Sequence, residues 1–321
     1  MRFAFPVFLF LVLSFNSDAA RIQDARPLMG TVVEVIAEGA GEPALRAAAE
    51  GTFREMQRLS DMMSHYDPAS VVSAINDAAG VRWVAVPPEL GEVLGRARQV
   101  SERTGGAFDI TVAALTGWRF RPGEARRPPQ EEIAEQLARV DYRNLRLDGR
   151  RAFLVQKGMK IDLGGIAKLY ILEAGRRVLE ARGVPRALLN GGGDVVAHSD
   201  GVPWQVGVRD PRAPQKLLGA VALARGAVAS SGDYERFFER DGRRFHHILD
   251  PRTGYPAEGA RGVTLVAPSA EAVNGLGPAI MVLGSTAGRE LVAATPGVEA
   301  LIIDGNGELW MSPGLNLKPA R

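Results

Sequence analysis

Chemistry in this 321-residue chain gathers where glycines stand beside ionisable side chains. The stretch 160–197, KIDLGGIAKLYILEAGRRVLEARGVPRALLNGGGDVVA, holds two such junctions. Asp162 precedes Gly164-Gly165, with Lys168 just beyond, and Gly191-Gly192-Gly193 runs straight into Asp194. Glycine lets the backbone turn sharply and come close to another group. A helix starting after Gly165 would offer free N–H groups and a partial positive charge, which suit phosphate. Neither a Walker loop nor a GxGxxG fingerprint occurs, so a standard nucleotide fold is not indicated. On spacing alone two readings stand: a ligand cleft, or two tight turns in an α/β core. A third glycine turn, Thr104-Gly105-Gly106-Ala107-Phe108-Asp109, also ends in a carboxylate.

These residues need elements to position them. Lys160-Ile161-Asp162 reads as a short strand end, and residues 187–189 as a buried strand running into the second glycine turn. Between them Ile166, Tyr170, Ala174, Val178 and Ala181 recur at helical spacing, with Gly183 as a stop. Upstream, residues 28–37 form one β-rich run, and residues 45–63 an amphipathic helix whose methionines pack a core. Ser70 caps a short helix reaching Asn76. Pro87-Pro88-Glu89 starts a third helix running to Arg103, and the arginine- and proline-rich residues 119–130 read as a surface loop. Asp148-Gly149 and Asp241-Gly242 are hairpin turns. Residues 204–208, 217–223 and 263–267 read as strands, 286–295 as a helix, and 298–303 with 308–311 as a last hairpin. Residues 270–283 have helical length but contain Gly275, Gly277 and Pro278. Strands and helices mix without strict alternation, which favours an α+β fold over a doubly wound sheet.

Composition sets the outer limits. The chain is 46% hydrophobic and 24% charged, values of a globular protein with a sizeable core. Net charge is +2, with no basic block, which argues against nucleic acid as a partner. Cysteine is absent, so disulfides, thiolate catalysis, cysteine metal sites and a lipoprotein anchor are excluded. Residues 1–20 read as a secretory signal: Arg2, an apolar run over 3–15, then small residues around Ala19-Ala20. An uncleaved membrane anchor is the alternative. The expectation is a signal at 1–20, a functional domain at 21–321, and a periplasmic location.

Seven stretches in order resemble the ApbE family, the FAD:protein FMN transferases. They are MGT (29–31), MSHYDPAS (63–70), TGGAFDITV (104–112), DLGGIAK (162–168), NGGGDV (190–195), SGDYERFF (231–238) and HHILDPRTGYPA (246–257). The resemblance implies a two-lobed α+β fold of mixed sheets flanked by helices, with FAD in a cleft between the lobes. It implies cleavage of the FAD pyrophosphate, attachment of FMN through a phosphoester to Thr or Ser of an acceptor protein, and release of AMP. The acceptor would be a membrane-associated or exported flavoprotein. Mg²⁺ would assist. Carried over by position, Met29, Tyr66, Ala107, Phe108, Asp109, Asp162 and Lys168 line the FAD site, and the Gly165 carbonyl faces the metal.

The residue types agree with those roles in part. Tyr66 could stack on a flavin or adenine ring, and Asp109 and Asp162 could accept hydrogen bonds from ribose or adenine. The alternatives are a half-exposed tyrosine and carboxylates on turn or cap duty. Lys168 suits phosphate oxygens or a solvated helix face. His247, with Asp250 nearby in sequence, is the general-base candidate for the acceptor hydroxyl; His246 matches a variable position. One departure stands out. Where the family carries Asp and, four residues later, Thr as metal ligands, this chain has Asn274 and Pro278. Asn274 retains a neutral oxygen and Pro278 none, so the metal site reads as degraded unless Ser269 or Glu271 supplies oxygen. A proline inside that helix would also remove an N–H and crowd the Asn274 carbonyl. Two alternatives stand beside transfer: a non-catalytic FAD carrier or assembly factor, towards which the weak metal site leans, and an FAD pyrophosphatase in which water replaces the acceptor hydroxyl.

Overall fold

A computed structural model of the chain describes residues 20–121 and 123–320. The expected signal segment lies almost wholly outside them. Strands β1 (Ala20–Leu28) and β2 (Thr31–Gly39) come first. Met29 and Gly30 between them have φ of 53° and 71°, the paired positive values of a type I′ turn that suits strand twist. The run expected over 28–37 is thus two strands, broken at this turn. Helices α1 (Glu42–Met63) and α2 (Val71–Asp77), strand β3 (Val84–Ala85) and helix α3 (Pro88–Arg103) follow. Ser70 caps α2 by accepting from Ser73 N at 2.9 Å. The tail of the arginine- and proline-rich segment adds helix α4 (Gln130–Leu137), which anchors itself through buried Ile133.

Next come β4 (Leu145–Leu147), β5 (Arg151–Leu154), helix α5 (Ala167–Ala181), β6 (Arg186–Gly191) and β7 (Asp194–Ser199). Strands β8 (Trp204–Asp210), β9 (Ala213–Leu223), β10 (Arg225–Gly232), β11 (Phe237–Arg240), β12 (Arg243–His246) and β13 (Ala260–Ala267) continue the chain. Helices α6 (Ala270–Val273) and α7 (Leu276–Ala293), then β14 (Glu299–Asp304), β15 (Leu309–Met311) and β16 (Leu317–Pro319), complete it. No helix among the described residues is long and apolar enough to cross a membrane.

The architecture is α+β. An eight-stranded sheet runs β1-β2-β6-β7-β10-β13-β14-β15, its neighbours paired antiparallel. Alternate side chains leave opposite faces of each strand. On one face Val33, Val35, Leu189, Val196 and Leu265 meet α1, α5 and α7 in the main core. On the other, Leu188, Val195, Val228 and Ile303 pack against Trp204, Val206 and Val221 of the small sheet β16-β9-β8. Both faces are therefore covered, and function is left to the sheet's ends and connecting turns.

Three further local expectations change. Residues 160–162 join no strand. Ile161 N donates to Asn76 Oδ1 at 2.7 Å and its carbonyl accepts from Asn76 Nδ2 at 3.1 Å, so one side chain replaces a ladder. Helix α5 buries Leu169, Leu172, Gly175, Arg176 and Leu179 rather than the face of Tyr170, Ala174 and Val178. Arg176 can be buried because Glu173 and Glu180 hold it at 2.8 and 2.9 Å. Finally, residues 270–283 are not one helix. Asn274 is extended and Gly275 left-handed, φ 80°, so the chain stops α6 and restarts in α7. Pro278 then falls in the first turn of α7, where its missing N–H leaves no intrahelical bond unmade. The backbone conflict expected at Pro278 does not arise.

Candidate active site

The glycine turns meet at one end of the main sheet. The β1–β2 turn lies beside the Gly192-Gly193 turn: a Cβ on Gly192, whose φ is 65°, would stand 2.7 Å from Thr31 Oγ1. At the mouth of the same hairpin Asp194 Oδ1 accepts from Ser230 N at 3.0 Å, tying β7 to β10. The first turn of α7 presses on that strand, since a Cβ on Gly277 would stand 2.5 Å from Ser231 Oγ. Lys168, in the first turn of α5, reaches Asp194 Oδ2 at 2.9 Å. The two glycine–carboxylate junctions of the sequence are therefore joined by an ion pair.

Asp162 stands just ahead of α5. Its Oδ1 accepts from Gly164 N at 2.7 Å and meets His65 Nδ1 at 3.0 Å. His65 in turn lies against the Tyr66 ring, with centroids 3.8 Å apart. Desolvation works to raise the Asp162 pKa, but His65, the Gly164 N–H and the charge of Arg236 together hold it below the usual carboxylate value. The group is thus an anion at neutral pH, and 38% of its side chain remains open to an incoming ligand. Tyr66 is 69% exposed, so its outer face is free for stacking. Met29 is half-buried against the main core, on the turn beside Thr31.

Other expected residues build the frame. Asp109 accepts from Thr111 N (2.7 Å), Thr111 Oγ1 (2.6 Å) and Tyr142 N (2.8 Å). Burial pushes its carboxyl up, against those hydrogen bonds. It caps a 3₁₀ turn over Ile110–Ala114, and the Ile110 carbonyl holds Asp162 N at 2.9 Å. Asp109 thus steadies Asp162 through one short segment. Ala107 and Phe108 are buried, and their N–H groups bond within the Thr104 turn. The Phe108 ring walls the first junction: a Cβ on Gly165 would stand 3.1 Å from Phe108 Cε2 and 3.6 Å from Pro278 Cγ.

His247 follows β12. Its N–H donates to the Arg236 carbonyl at 3.0 Å, continuing the β11–β12 ladder by one pair. Burial first, then the nearby Arg236 and, less, His246 and Lys168, push its pKa down to about 3. The imidazole is therefore neutral at working pH, and its buried Nδ1 has no hydrogen-bond partner among the described residues. Asp250 does not orient it, because its carboxylate is taken by Arg252 at 2.7–3.2 Å. His246 is structural: Nε2 bonds the Ala257 carbonyl at 2.7 Å and Nδ1 accepts from Ile248 N.

The expected metal donors meet only partly. Asn274 is 5% exposed and its Oδ1 has no partner among the described residues, an oxygen in want of a donor or cation. Pro278 lies beside Gly165 without a side-chain ligand. Ser269 caps α6 at 3.3 Å, and Glu271 is paired with Arg96 and Arg177, both at 3.0 Å, so neither substitutes. No cluster of three His, Asp or Glu suited to a metal occurs among the described residues. Mg²⁺ takes octahedral oxygen and at least one carboxylate from protein. One neutral amide oxygen and a backbone carbonyl do not fit it.

A profile of the ApbE family matches residues 29–302. The chain belongs to the ApbE family. It is 33% identical over 292 residues to the FAD:protein FMN transferase of Treponema pallidum (strain Nichols), covering 84% of this chain and 81% of that protein. It is 37% identical over 216 residues to one from Klebsiella pneumoniae (strain 342), covering 66% and 67%. The crystal structure of the ApbE protein of Thermotoga maritima superposes with a TM-score of 0.84 at 35% identity, over 94% of this chain and all of that one. The apo flavinyl transferase ApbE of Pseudomonas stutzeri gives 0.82 at 28% identity, over 94% and 97%.

Sequence reasoning passed over His65, Arg236, Thr31 and Ser231. Each lies inside a stretch that carries the family resemblance, His65 directly before Tyr66 and Arg236 within SGDYERFF. What singles them out is a partner distant in sequence, which no local pattern encodes.

Proposed function

We propose that the chain is an FAD:protein FMN transferase: it splits the pyrophosphate of FAD, joins the FMN phosphate to a Thr or Ser hydroxyl of an acceptor protein, and releases AMP. The observation that carries this reading is the buried Nδ1 of His247, unpartnered among the described residues and set opposite Arg236, where burial and the charges of Arg236 and Lys168 favour the neutral imidazole. In the reaction the acceptor oxygen bonds to the phosphorus on the FMN side. The P–O bond to the AMP phosphate breaks, AMP leaves with that electron pair, and the hydroxyl proton passes to His247. A base with so low a pKa is weak in the free protein. An arriving pyrophosphate offsets the nearby positive charges, favours the imidazolium and raises its basicity when substrate is bound. Tyr66 supplies a ring face for the flavin or adenine, and Asp162 accepts from a ribose O–H or a base N–H.

The test is incubation of the chain with FAD and a candidate exported or membrane-associated flavoprotein, followed by the acceptor's mass and AMP release. An acceptor heavier by one FMN residue, with matching AMP, is expected. AMP without modified acceptor identifies a pyrophosphatase. Bound FAD with neither product identifies a carrier, the reading that Asn274 and Pro278 favour. Export to the periplasm is part of the proposal, supported by Arg2 and the apolar run after it. N-terminal sequencing of exported protein should then begin near Ala20 or Arg21, and a cytoplasmic product retaining Met1 would overturn it.

A further inference from the structure

Among the described residues, one cation near His247 has no ion-pair partner. Arg236 is exposed, and the acids nearest to it in sequence are already committed: Glu235 to Arg209, Asp233 and Glu239 to Arg244. Phe237 pairs with His246, and His247 N bonds the Arg236 carbonyl, so Arg236 and His247 are cross-strand neighbours. Directly opposed residues of an antiparallel pair share a face. The Arg236 side chain therefore rises on the His247 side of the ribbon. Its charge lowers the pKa of His247 and, less, that of Asp162. Lys168, the other cation here, is already half-neutralised by Asp194. At the metal position the chain instead has an orphan amide oxygen and a proline ring.

We propose that this chain balances the charge of the bound pyrophosphate with the Arg236 guanidinium rather than with a resident divalent cation. A guanidinium is always charged and grips phosphate oxygens with two parallel N–H bonds, so it supplies both charge and orientation where a metal would have done so. The inference rests on the flavin transferase reading and adds what holds the diphosphate.

The experiment is fluorescence titration of the full chain with FAD and, separately, riboflavin, in EDTA and in Mg²⁺. The wild type should bind FAD equally in both buffers, within about twofold. Arg236→Ala should weaken FAD about tenfold or more, the loss of a charge-assisted hydrogen bond, and leave riboflavin unchanged. Arg236→Lys should recover part of the loss, which separates charge from misfolding. FAD binding that needs Mg²⁺, or an Arg236→Ala variant that binds FAD like wild type, overturns the proposal while leaving the flavin reading intact. Absence of any flavin binding by the wild type sinks both.

Discussion

Asn274→Asp together with Pro278→Thr turns the metal question into a stability measurement. Asn274 is 5% exposed with an unpartnered Oδ1, so a carboxylate there enters a desolvated position with no donor. Buried carboxylates without partners have pKa values raised by two or more units, and each unit is about 1.4 kcal/mol. The double variant should therefore be less stable than wild type by roughly 3 kcal/mol at pH 7.5 in EDTA. The threonine adds little to that cost, because position 278 lies in the first turn of α7, which accepts either residue. Replacing proline there costs about 0.4–1 kcal/mol through the unfolded chain alone. Mg²⁺ reverses the sign of the effect. A cation bound only by the folded state stabilises it by about 2.7 kcal/mol at a concentration a hundredfold above Kd. Urea unfolding with and without Mg²⁺ measures both terms. Wild type should be indifferent to Mg²⁺, and the variant should recover most of its loss. A wild type stabilised by Mg²⁺ as strongly as the variant, or a variant that ignores Mg²⁺, refutes the account of position 274.

Three further outcomes are expected. Asp162→Ala should weaken FAD binding by about 1–3 kcal/mol, the cost of leaving a buried partner unsatisfied, while far-UV circular dichroism stays native. Tyr66→Ala should weaken FAD without changing the unfolding midpoint, since the ring is 69% exposed and lies against His65 rather than in the core. His247→Gln should blunt acid lability. The native histidine holds its pKa near 3, so below its unfolded value of about 6.5 the unfolded state gains the proton first and wild-type stability falls by about 1.4 kcal/mol per pH unit. Urea midpoints at pH 7, 5 and 4 should show a shallower loss in the variant, and parallel losses would show that His247 is not desolvated.

What could be read from one chain was whatever local rules enforce. Asp241-Gly242 adopts φ of 52° and 71°, and Met29-Gly30 the same geometry without the usual residue pair, so the first hairpin was legible and the second was not. Ser70 caps its helix and Pro88 opens the next at the first helical position, where its missing N–H leaves no bond unmade. Strand β10 escaped because RGAVASSG carries neither alternation nor large residues. It lies between β7 and β13 in the sheet interior, where small side chains suffice. The wrong face of α5 has the same root. Periodicity counts apolar residues, whereas burial of Arg176 is decided by two glutamates that neutralise it.

The site divides along the same line. A glycine next to a carboxylate reports a turn, and the turn alone leaves the carboxylate's task open. Asp109, Asp162 and Asp194 occupy similar junctions in the sequence and end with three different tasks. Asp109 turns inward to three protein donors, Asp194 takes Lys168, and Asp162 keeps an open side beside His65. Asp250, near His247 in sequence, is claimed by Arg252, while Arg236 arrives from the neighbouring strand. For Asp162, Asp194 and Asp109 a deciding partner comes from another segment, His65, Lys168 or Tyr142, whereas Asp250 is claimed from two residues away. Residue type therefore identifies which groups are capable of the chemistry, and strand register decides which of them face the ligand. Asn274 sharpens the point. Read as part of one helix with Pro278, the pair is a metal site spoiled by two substitutions. Set in the break between α6 and α7, it is an amide oxygen without a partner among the described residues and a proline without strain, in a protein whose Arg236 stands opposite His247 at the approach to β11.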